Sequence, residues 1–362
     1  MLFIARTRYP EVRSAVRAGL EACGFDPGSR RILIKPNIVN AHAPQVGATT
    51  HPAILEALLE HFGAKRCIIA ESCVIGVDTD ETFKRTGLLR LAARHGAEVV
   101  NLQTVSRAPR RWEFGELLLP TLLDECAYIN VAKMKTHVLT GVTLCLKNQK
   151  GILTNADKMR FHRIGLDRAI PALYDVLKPD LSIIDAVWAL EGEGPGKFGK
   201  RKDLDLLLFG NDALELDNLA LQVMGFVPGE VGHIPSVALG ELRGAPLDEV
   251  RAKFSRSKGY YRKINLYYFP CGACSGCTNA ISETIKALIK RPWKHPLKVM
   301  GFVLNGILKK RVFLAGIDAG YQHVRGETVC VGNCAAKFAD REGLPSVPGC
   351  PPAVKDILEL LY

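Results

Sequence analysis

Residues 30–40 read Arg-Arg-Ile-Leu-Ile-Lys-Pro-Asn-Ile-Val-Asn, a short apolar run that stops at Pro36. Such a run predicts a buried strand, and the proline ends it because proline lacks the N–H that a sheet ladder needs. Two polar side chains, Lys35 and Asn37, stand where this strand ends. The stretch therefore combines an apolar strand with polar residues at its carboxyl end, a pattern that recurs along the chain.

A helix is predicted to follow this strand. Thr50 is a favourable N-cap, Pro52 suits the first helical turn, and Gly63 stands where the helix should end. Between them the apolar side chains recur every three or four residues, as they do on one face of a helix, at Ile54, Leu55, Leu58, Leu59 and Phe62.

The alternation of strand and helix continues through the first two thirds of the chain. A second helical segment is predicted to end at Gly96, and further apolar strands are predicted at 67–72, 98–102, 116–120, 127–132, 181–187 and 203–209. Short apolar strands alternating with amphipathic helices indicate an α/β fold with a largely parallel sheet.

The chain is long enough for two domains. Its 362 residues exceed the ~250–300 at which a single hydrophobic core stops growing. We expect an α/β domain at 1–240, followed by a smaller cysteine-rich α/β domain at 241–362. In the second domain, strands are predicted at 311–317 and 327–331 and a closing helix at 353–362. Residues 292–308 mix apolar and basic side chains. They predict a helix that packs on its own core or lies on a membrane or partner surface.

Polar residues cluster where the predicted strands of the first domain end. In a parallel sheet the ligand-binding crevice lies outside the carboxyl ends of the strands. The polar residues at these ends are therefore expected to lie together, and they are Lys35, Asn37, Glu71, Ser72, Lys133, Lys135, His137, Asp185 and Glu191.

The segment 133–151 carries four lysines, a histidine and two side-chain amides, which suits an anionic ligand. The residues predicted to bind an anionic small-molecule substrate are Lys35, Asn37, Lys133, Lys147 and Asn148. The residues predicted to be catalytic are Lys135, His137, Asp185 and Glu191. His137 would relay protons, and Asp185 or Glu191 would orient the substrate or bind a metal. A solvated basic loop with a packed histidine is the alternative.

The glycine-rich stretch 192–200 is formally close to a phosphate-binding loop. Arg201 stands where Ser or Thr would bind magnesium, and the following segment predicts a strand instead of the required helix. We therefore reject a nucleotide loop here. A mobile loop beside the strand-end site is expected, with Glu191 or Glu193 reaching inward.

Residues 270–277 read Pro-Cys-Gly-Ala-Cys-Ser-Gly-Cys, and Cys330, Cys334 and Cys350 follow. Thiolates in short Cys-x-x-Cys runs hold iron–sulfur clusters, so one 4Fe–4S cluster, or two, is expected. In one ligand set Cys274 and Cys277 act with Cys334 and Cys350. In another, Cys271, Cys274 and Cys277 form a ferredoxin-like run completed by Cys350. Four of these thiolates would also hold tetrahedral zinc.

The cysteine region resembles the small subunit of nickel–iron hydrogenases and the cluster subunit of respiratory NADH dehydrogenase. The matching segments are Cys274-Ser-Gly-Cys277, Gly332-Asn-Cys334-Ala-Ala and Val347-Pro-Gly-Cys350-Pro-Pro. The resemblance implies a flavodoxin-like α/β domain whose 4Fe–4S ligands lie on three loops. Cys271 and Cys330 depart from that pattern, which leaves them for a second metal centre or a supporting role.

The first domain resembles the domain of unknown function 362 family. The similar segments are 34–37 (Ile-Lys-Pro-Asn), 133–137 (Lys-Met-Lys-Thr-His), 146–151 (Leu-Lys-Asn-Gln-Lys-Gly), 184–185 (Ile-Asp) and 191–195 (Glu-Gly-Glu-Gly-Pro). Members often pair this domain with a cysteine-rich iron–sulfur segment, so the resemblance implies the same architecture here. Their activity is largely undefined.

Composition narrows the location and the partners. The net charge of +11 suits an anionic substrate or an acidic electron-transfer protein of the ferredoxin or flavodoxin type. The sequence contains no RNA-binding signature, so we do not expect a nucleic-acid partner. The sequence shows no signal peptide and no run of ~18 apolar residues that could span a membrane. We therefore expect a cytoplasmic protein whose cysteines are reduced thiols. The protein could be an oligomer. Five isolated cysteines are expected to be buried apolar residues, namely Cys23, Cys67, Cys73, Cys126 and Cys145.

These patterns predict a low-potential or anaerobic iron–sulfur redox protein, an oxidoreductase that acts on an anionic small molecule in its first domain. Two alternatives remain. One is an electron-transfer or assembly partner with no substrate of its own, and the other is a ligand-binding enzyme whose cluster is only structural.

Overall fold

A computed structural model describes residues 1–263, 265–290 and 309–360. The chain divides into two compact units. The first unit comprises Met1–Cys73 and Val77–Ser257, and the second comprises Val74–Gly76 and Lys258–Tyr362. The helix predicted within 292–308 and the last two residues of the predicted closing helix lie outside the described residues.

The first unit alternates strands and helices. Its strands are β1 (Leu2–Arg6), β2 (Arg31–Lys35), β3 (Cys67–Glu71), β4 (Glu98–Asn101), β5 (Arg107–Trp112), β6 (Gly115–Pro120), β7 (Cys126–His137), β8 (Gly141–Thr143), β9 (Leu181–Gly192), β10 (Gly199–Gly210) and β11 (Leu242–Gly244).

Its α-helices are α1 (Val12–Ala22), α2 (Pro52–Phe62), α3 (Thr79–Arg85), α4 (Leu88–His95), α5 (Leu122–Glu125), α6 (Cys145–Asn148), α7 (Asn155–Ile164), α8 (Leu166–Val176), α9 (Ala213–Val223) and α10 (Leu247–Val250). Short 3-10 helices occur at Tyr9–Glu11, Pro44–Val46, Ala64–Arg66 and Gln149–Ile152.

The large sheet of the first unit is mixed and mostly parallel. Its strand order is β11-β1-β10-β9-β7-β2-β3-β4, and β8 pairs with the end of β7. The neighbours from β9 to β4 are all parallel, whereas β10 runs antiparallel to both β9 and β1. Because β2, β3, β7 and β9 are parallel, their carboxyl ends meet at one edge of the sheet.

Both faces of this sheet are buried, which explains why its central strands read as continuous apolar runs. One core packs beneath α1, α2 and α4, with Ile34, Leu58 and Ile183 among its buried residues. The other core packs beneath α8 and α9, with Leu33 and Leu173 among its buried residues. The prediction of an α/β fold with a large, mostly parallel sheet is confirmed.

The first unit extends past the predicted boundary at residue 240. Val250 and Phe254 are only 6% and 2% exposed and belong to the core of this unit. The Ser255 carbonyl accepts a hydrogen bond from Gly192 N (2.9 Å), and the Arg256 guanidinium lies over the Phe226 ring (3.8 Å). These contacts hold residues 251–257 in the first unit.

Two local predictions change in the structure. His51, not Thr50, caps α2, because the His51 side chain accepts a hydrogen bond from Ala53 N while Thr50 Oγ1 accepts one from Asn37 N (2.8 Å). The helical segment ending at Gly96 is two helices, since Gly87 adopts a left-handed conformation between α3 and α4.

The second unit is a smaller α/β unit. Its strands are β12 (Tyr261–Lys263), β13 (Leu266–Phe269), β14 (Arg311–Ala315), β15 (Glu327–Val331) and β16 (Ser346–Val347), in the order β12-β13-β14-β15-β16. The strands from β13 to β16 are parallel, and β12 is antiparallel to β13. The helices are α11 (Ser275–Lys290), α12 (Asn333–Glu342) and α13 (Val354–Leu360). Within the described ranges the order is sequential, whereas a flavodoxin-like sheet reverses at its first strand.

Candidate functional site

The carboxyl ends of β2 and β3 carry a buried ion pair. Lys35 Nζ lies 2.9 Å from Glu71 Oε2, and both side chains are almost fully buried. Lys35 also donates to Asn148 Oδ1 (3.3 Å), which accepts a second hydrogen bond from Asn37 Nδ2 (2.7 Å). Burial lowers the pKa of Lys35, while the Glu71 charge opposes that shift. The lysine charge is therefore compensated within the protein.

A second buried ion pair joins β7 and β9. Lys133 Nζ lies 2.7 Å from Asp185 Oδ2, and both side chains are fully buried. The Tyr9 hydroxyl donates to Asp185 (3.0 Å), and His51 N donates to the same carboxylate (3.0 Å). The rings of Tyr9 and His51 stack with centroids 3.6 Å apart, and Trp188 packs edge-on against both. With the amide of Val187, which also donates to Asp185 (3.3 Å), four donors hold this carboxylate beside three aromatic rings.

Lys135 differs from the other two strand-end lysines because both of its hydrogen-bond acceptors are neutral oxygens. Its Nζ donates to Asn37 Oδ1 and to the Ala48 carbonyl, each at 2.6 Å, and its side chain is fully buried. Burial, followed by the nearby charge of Lys133, lowers the pKa of Lys135 to about 7. An amine with this pKa can gain or lose a proton at neutral pH, as a general acid or base requires.

Beyond Lys135, the end of β7 leads to a second group of basic side chains. His137 and Lys147 are half-buried, and Lys147 Nζ donates to Thr140 Oγ1 (2.7 Å). The His137 Nδ1 accepts from Leu139 N (3.1 Å), so in the neutral imidazole the proton lies on Nε2. Burial and then the charge of Lys147 lower the pKa of His137. His233 lies close enough to add to this effect.

Asp217 positions α6, the short helix that carries Lys147 and Asn148. Its carboxylate accepts hydrogen bonds from Cys145 N (2.7 Å) and Leu146 N (2.9 Å), the first amides of the helix. Burial raises the pKa of Asp217 to about 7, and the two backbone donors oppose that rise. A buried side chain on α9 thereby fixes two of the residues predicted to bind substrate.

The residues predicted at the strand ends fall into different surroundings. Lys35, Asn37, Lys135 and Asn148 form one hydrogen-bonded network, in which Glu71 also takes part. Lys133 and Asp185 form an ion pair, and His137 belongs to the basic group that contains Lys147. Ser72 instead accepts a hydrogen bond from Lys158. Glu191 has different partners, since it accepts from Ser255 N (3.0 Å) and lies 3.3 Å from Lys202 Nζ.

Sequence reasoning missed four residues that contribute to these surroundings. Tyr9 precedes the first helix and His51 caps the second, so neither stands at a strand end. Lys158 lies on α7 and donates to Ser72 Oγ (2.6 Å) and to the Cys73 carbonyl (2.8 Å). His233 lies in a loop after α9. The His51-Pro52 pair at a helix start was a usable signal for His51, whereas the others depend on tertiary packing.

The cysteines of the second unit separate into two groups. The thiols of Cys274, Cys334 and Cys350 all lie close enough to Cys277 to raise its pKa, which reaches about 12 with burial as the largest cause. Cys271 instead influences Cys330, which is fully buried on β15.

Close contacts join the three segments that carry Cys277, Cys334 and Cys350, here called the cysteine loops. A Cβ at Gly332 would lie 2.7 Å from Cys277 Sγ, and one at Gly276 would lie 3.2 Å from Pro351 Cβ. Asn333 N donates to the Gly349 carbonyl (3.0 Å), and Gly349 N donates back to Asn333 Oδ1 (2.7 Å). The loops that carry Cys277, Cys334 and Cys350 are therefore in direct contact.

Four thiols are a donor set that an iron–sulfur cluster or a zinc ion can take. Four thiols near one another repel when ionised, and bound iron would remove that repulsion. Tetrahedral zinc with Zn–S bonds of about 2.3 Å would need sulfurs only about 3.8 Å apart. Among the described residues, Glu56, Glu60 and His95 have ligand atoms mutually within 4.8 Å, and the cysteines do not form such a group.

Fold and site together define a two-unit α/β protein with a buried basic network at the strand ends of its larger sheet. The chain matches the family model described as "Domain of unknown function (DUF362)" over residues 32–222, more than half of its length, and it belongs to that family. The matched range contains Lys35, Lys135 and Asp185, but not Tyr9, His233 or the cysteines of the second unit.

The chain is also similar to a curated protein. The chain is 28% identical over 228 residues to a thylakoid-associated protein of Synechocystis sp., a match that covers 60% of this chain and 69% of the relative. No solved structure matches the chain. No helix in the part of the chain that the structure describes is both long and apolar enough to cross a membrane.

Proposed function

We propose that the protein is an iron–sulfur oxidoreductase that acts on an anionic small molecule bound by the first unit. Its second unit would be the iron–sulfur domain, with Cys274, Cys277, Cys334 and Cys350 holding a 4Fe–4S cluster. When bound, the cluster would supply single-electron transfer, and the protein would set its potential and its access to solvent.

The contact between the three cysteine loops is the observation that carries this proposal. Cys277 and Cys334 lie in the first turns of α11 and α12. The helix dipole there favours the thiolate and opposes the rise that burial causes in the pKa of Cys277. All eleven cysteines are free, so no disulfide competes for these four. Cys271 and Cys330 form a separate pair, which favours a supporting role for them over a place in the same cluster.

In the first unit, Lys135 is best placed to move a proton. Its pKa near 7 allows both protonation states, and its two acceptors orient the amine. Lys35 and Lys133 are compensated by carboxylates, so they would shape the site and orient Lys135 instead of binding the substrate anion. His137 and Lys147 remain the residues that would meet the anion.

A second candidate function is an electron-transfer or assembly partner without a substrate of its own. A pocket of about 300 Å³ lies beside Cys334 and is lined by Ile317, Asn333, Lys337 and Arg341, among others. Ile317 is 53% exposed, and the two basic side chains suit an acidic protein of the ferredoxin or flavodoxin type.

Anaerobic purification with iron and sulfide analysis, followed by paramagnetic resonance of the reduced protein, tests the cluster. We expect about four irons and four sulfides per chain, as a 4Fe–4S cluster contains. Cys277→Ser should lose the signal, whereas the matched control Cys330→Ser should keep it. One zinc and no iron, or equal loss in both variants, would refute the proposal. A cluster whose reduction leaves turnover unaltered would be structural.

A further inference from the structure

His233 is a buried histidine without a hydrogen-bond partner in the described residues. Its side chain is fully buried, and neither ring nitrogen has a partner. The Asp167 carboxylate lies 4.0 Å from Nδ1, beyond hydrogen-bond distance, and its own side chain is 64% exposed. An unpaired buried polar group costs about 1–3 kcal/mol, so its retention points to a ligand that supplies the partner.

The groups around His233 are basic. Lys147 and Lys150 act on His233 electrostatically, and both also act on His137. Lys147 has a neutral partner in Thr140 Oγ1, and Lys150 Nζ lies 3.3 Å from His162 Nε2. Burial and then the Lys150 charge lower the pKa of Lys147 well below its ordinary value. The lysine charges near His233 are therefore close to one another and partly shielded from solvent.

This group of His137, Lys147, Lys150 and His233 differs from the strand-end lysines. There, Glu71 compensates Lys35 and Asp185 compensates Lys133. Here Asp167, whose side chain is 64% exposed, lies 4.0 Å from His233 Nδ1 and acts electrostatically on Lys147. When protonated, Lys147 and Lys150 match the charge of a dianion, which in turn favours their ammonium forms, and the imidazole N–H groups add directional donors.

We propose that His137, Lys147, Lys150 and His233 bind the dianionic phosphoryl group of a small molecule. The inference rests on the proposed function, since it names the chemical class of the anionic substrate. His233 would donate one ring N–H to a phosphoryl oxygen, and the lysines would neutralise the charge. The cysteines have no part in this binding.

Titration calorimetry on the full chain, with and without reconstituted iron, tests the inference. The probes are inorganic phosphate, methyl phosphate and acetate. We expect both phosphates to bind and acetate to bind at least tenfold more weakly. Tighter binding of methyl phosphate would identify a phosphate ester as the ligand, and tighter binding of inorganic phosphate would identify the free ion. Equal affinity for acetate, or no phosphate binding, would overturn the inference.

Two variants locate the site. Lys147→Met and His233→Leu should each weaken phosphate binding at least tenfold, whereas Lys65→Met, an exposed lysine with the same change of charge, should leave it unchanged. Because His233 has no hydrogen bond to lose, His233→Leu should fold with undiminished thermal stability. Phosphate binding retained in both variants would place the anion elsewhere. Iron content is measured on the same samples, so failure of the redox proposal is distinguished from failure of this one.

Discussion

The three buried lysines at the strand ends have distinct surroundings, although the sequence presents them as equivalent basic residues. Lys35 and Lys133 each contact a carboxylate, and Lys135 contacts an amide oxygen and a carbonyl. A buried lysine beside a carboxylate is an electrostatic support, whereas one between neutral acceptors is poised to exchange a proton. The difference depends on the partners that other strands supply.

The Lys133–Asp185 pair should show strong energetic coupling. Lys133→Met leaves a buried carboxylate without its counter-charge, and we expect a loss of about 3–5 kcal/mol of unfolding free energy. The double variant Lys133→Met/Asp185→Leu should recover part of this loss, because no lone charge remains buried. Urea denaturation of the two single variants and the double variant measures the coupling. Additive losses would contradict it.

Gly151 should not tolerate a side chain. A Cβ there would overlap the Glu71 carboxylate and the Lys35 ammonium, so the ion pair would have to separate. We expect Gly151→Ala to lower the unfolding free energy by about 2–4 kcal/mol. Gly320→Ala is the control, because the nearest heavy atom to its Cβ would be 4.0 Å away and its φ is ordinary. Equal stability of the two variants in thermal unfolding would refute the prediction.

At the scale of single elements, α6 depends on a side chain from another helix. Asp217→Ala leaves the amides of Cys145 and Leu146 without an acceptor in a buried setting, so we expect a loss of about 2–4 kcal/mol. Asp212→Ala removes a comparable cap from α9, where Asp212 accepts from Leu214 N and Glu215 N at a less buried position. Its loss should be about 1 kcal/mol. Chemical denaturation measures the unfolding free energy of both variants. A smaller loss in Asp217→Ala than in Asp212→Ala would contradict this account.

Elements with a local signal were predictable from the sequence. The strands β2, β3, β7 and β9 are apolar runs because both faces of the sheet are buried, and Pro52 and Gly63 mark the limits of α2. The Thr50 cap was wrong because its hydroxyl is engaged by Asn37 N and the Val131 carbonyl. That competition arises from packing between β2 and β7, which no local pattern reports.

The same reasoning applies to the candidate sites. Strand-end position was enough to assemble Lys35, Asn37, Lys135 and Asp185 near one edge of the sheet. Strand-end position could not distinguish a lysine that contacts a carboxylate, such as Lys35, from one that contacts only neutral oxygens, such as Lys135. His233 carries no local signal, since its environment is created by residues some 70 to 100 positions earlier in the chain, such as Lys147 and His137.

For the whole molecule, the buried amines predict that stability rises with pH between about 7 and 9. In the folded chain the pKa of Lys135 is about 7 and that of Lys158 about 8, both below the ordinary lysine value. The unfolded chain binds more protons in this window, so the unfolding free energy increases by up to about 1.4 kcal/mol per pH unit for each group.

Above about pH 9 the buried thiols act in the opposite direction. Burial raises the pKa values of Cys23, Cys67 and Cys73 to about 11. These thiols therefore ionise at a lower pH in the unfolded chain than in the folded chain, which lowers the unfolding free energy. Urea denaturation from pH 6 to 9 measures the rise, and Lys135→Met should have a smaller slope than the parent chain. A flat or falling profile over that range would contradict the assigned pKa values.

The paired hydrogen bonds between Asn333 and Gly349 join two of the cysteine loops without any metal. Under the proposed function, a scaffold closed in this way would reassemble the iron–sulfur cluster after oxidative loss with little backbone rearrangement. Asn333→Ala removes the hydrogen bond that Gly349 N donates to Asn333 Oδ1. We expect this variant to slow the reloading of iron more than it lowers the final iron content, which a time course of cluster absorbance would measure.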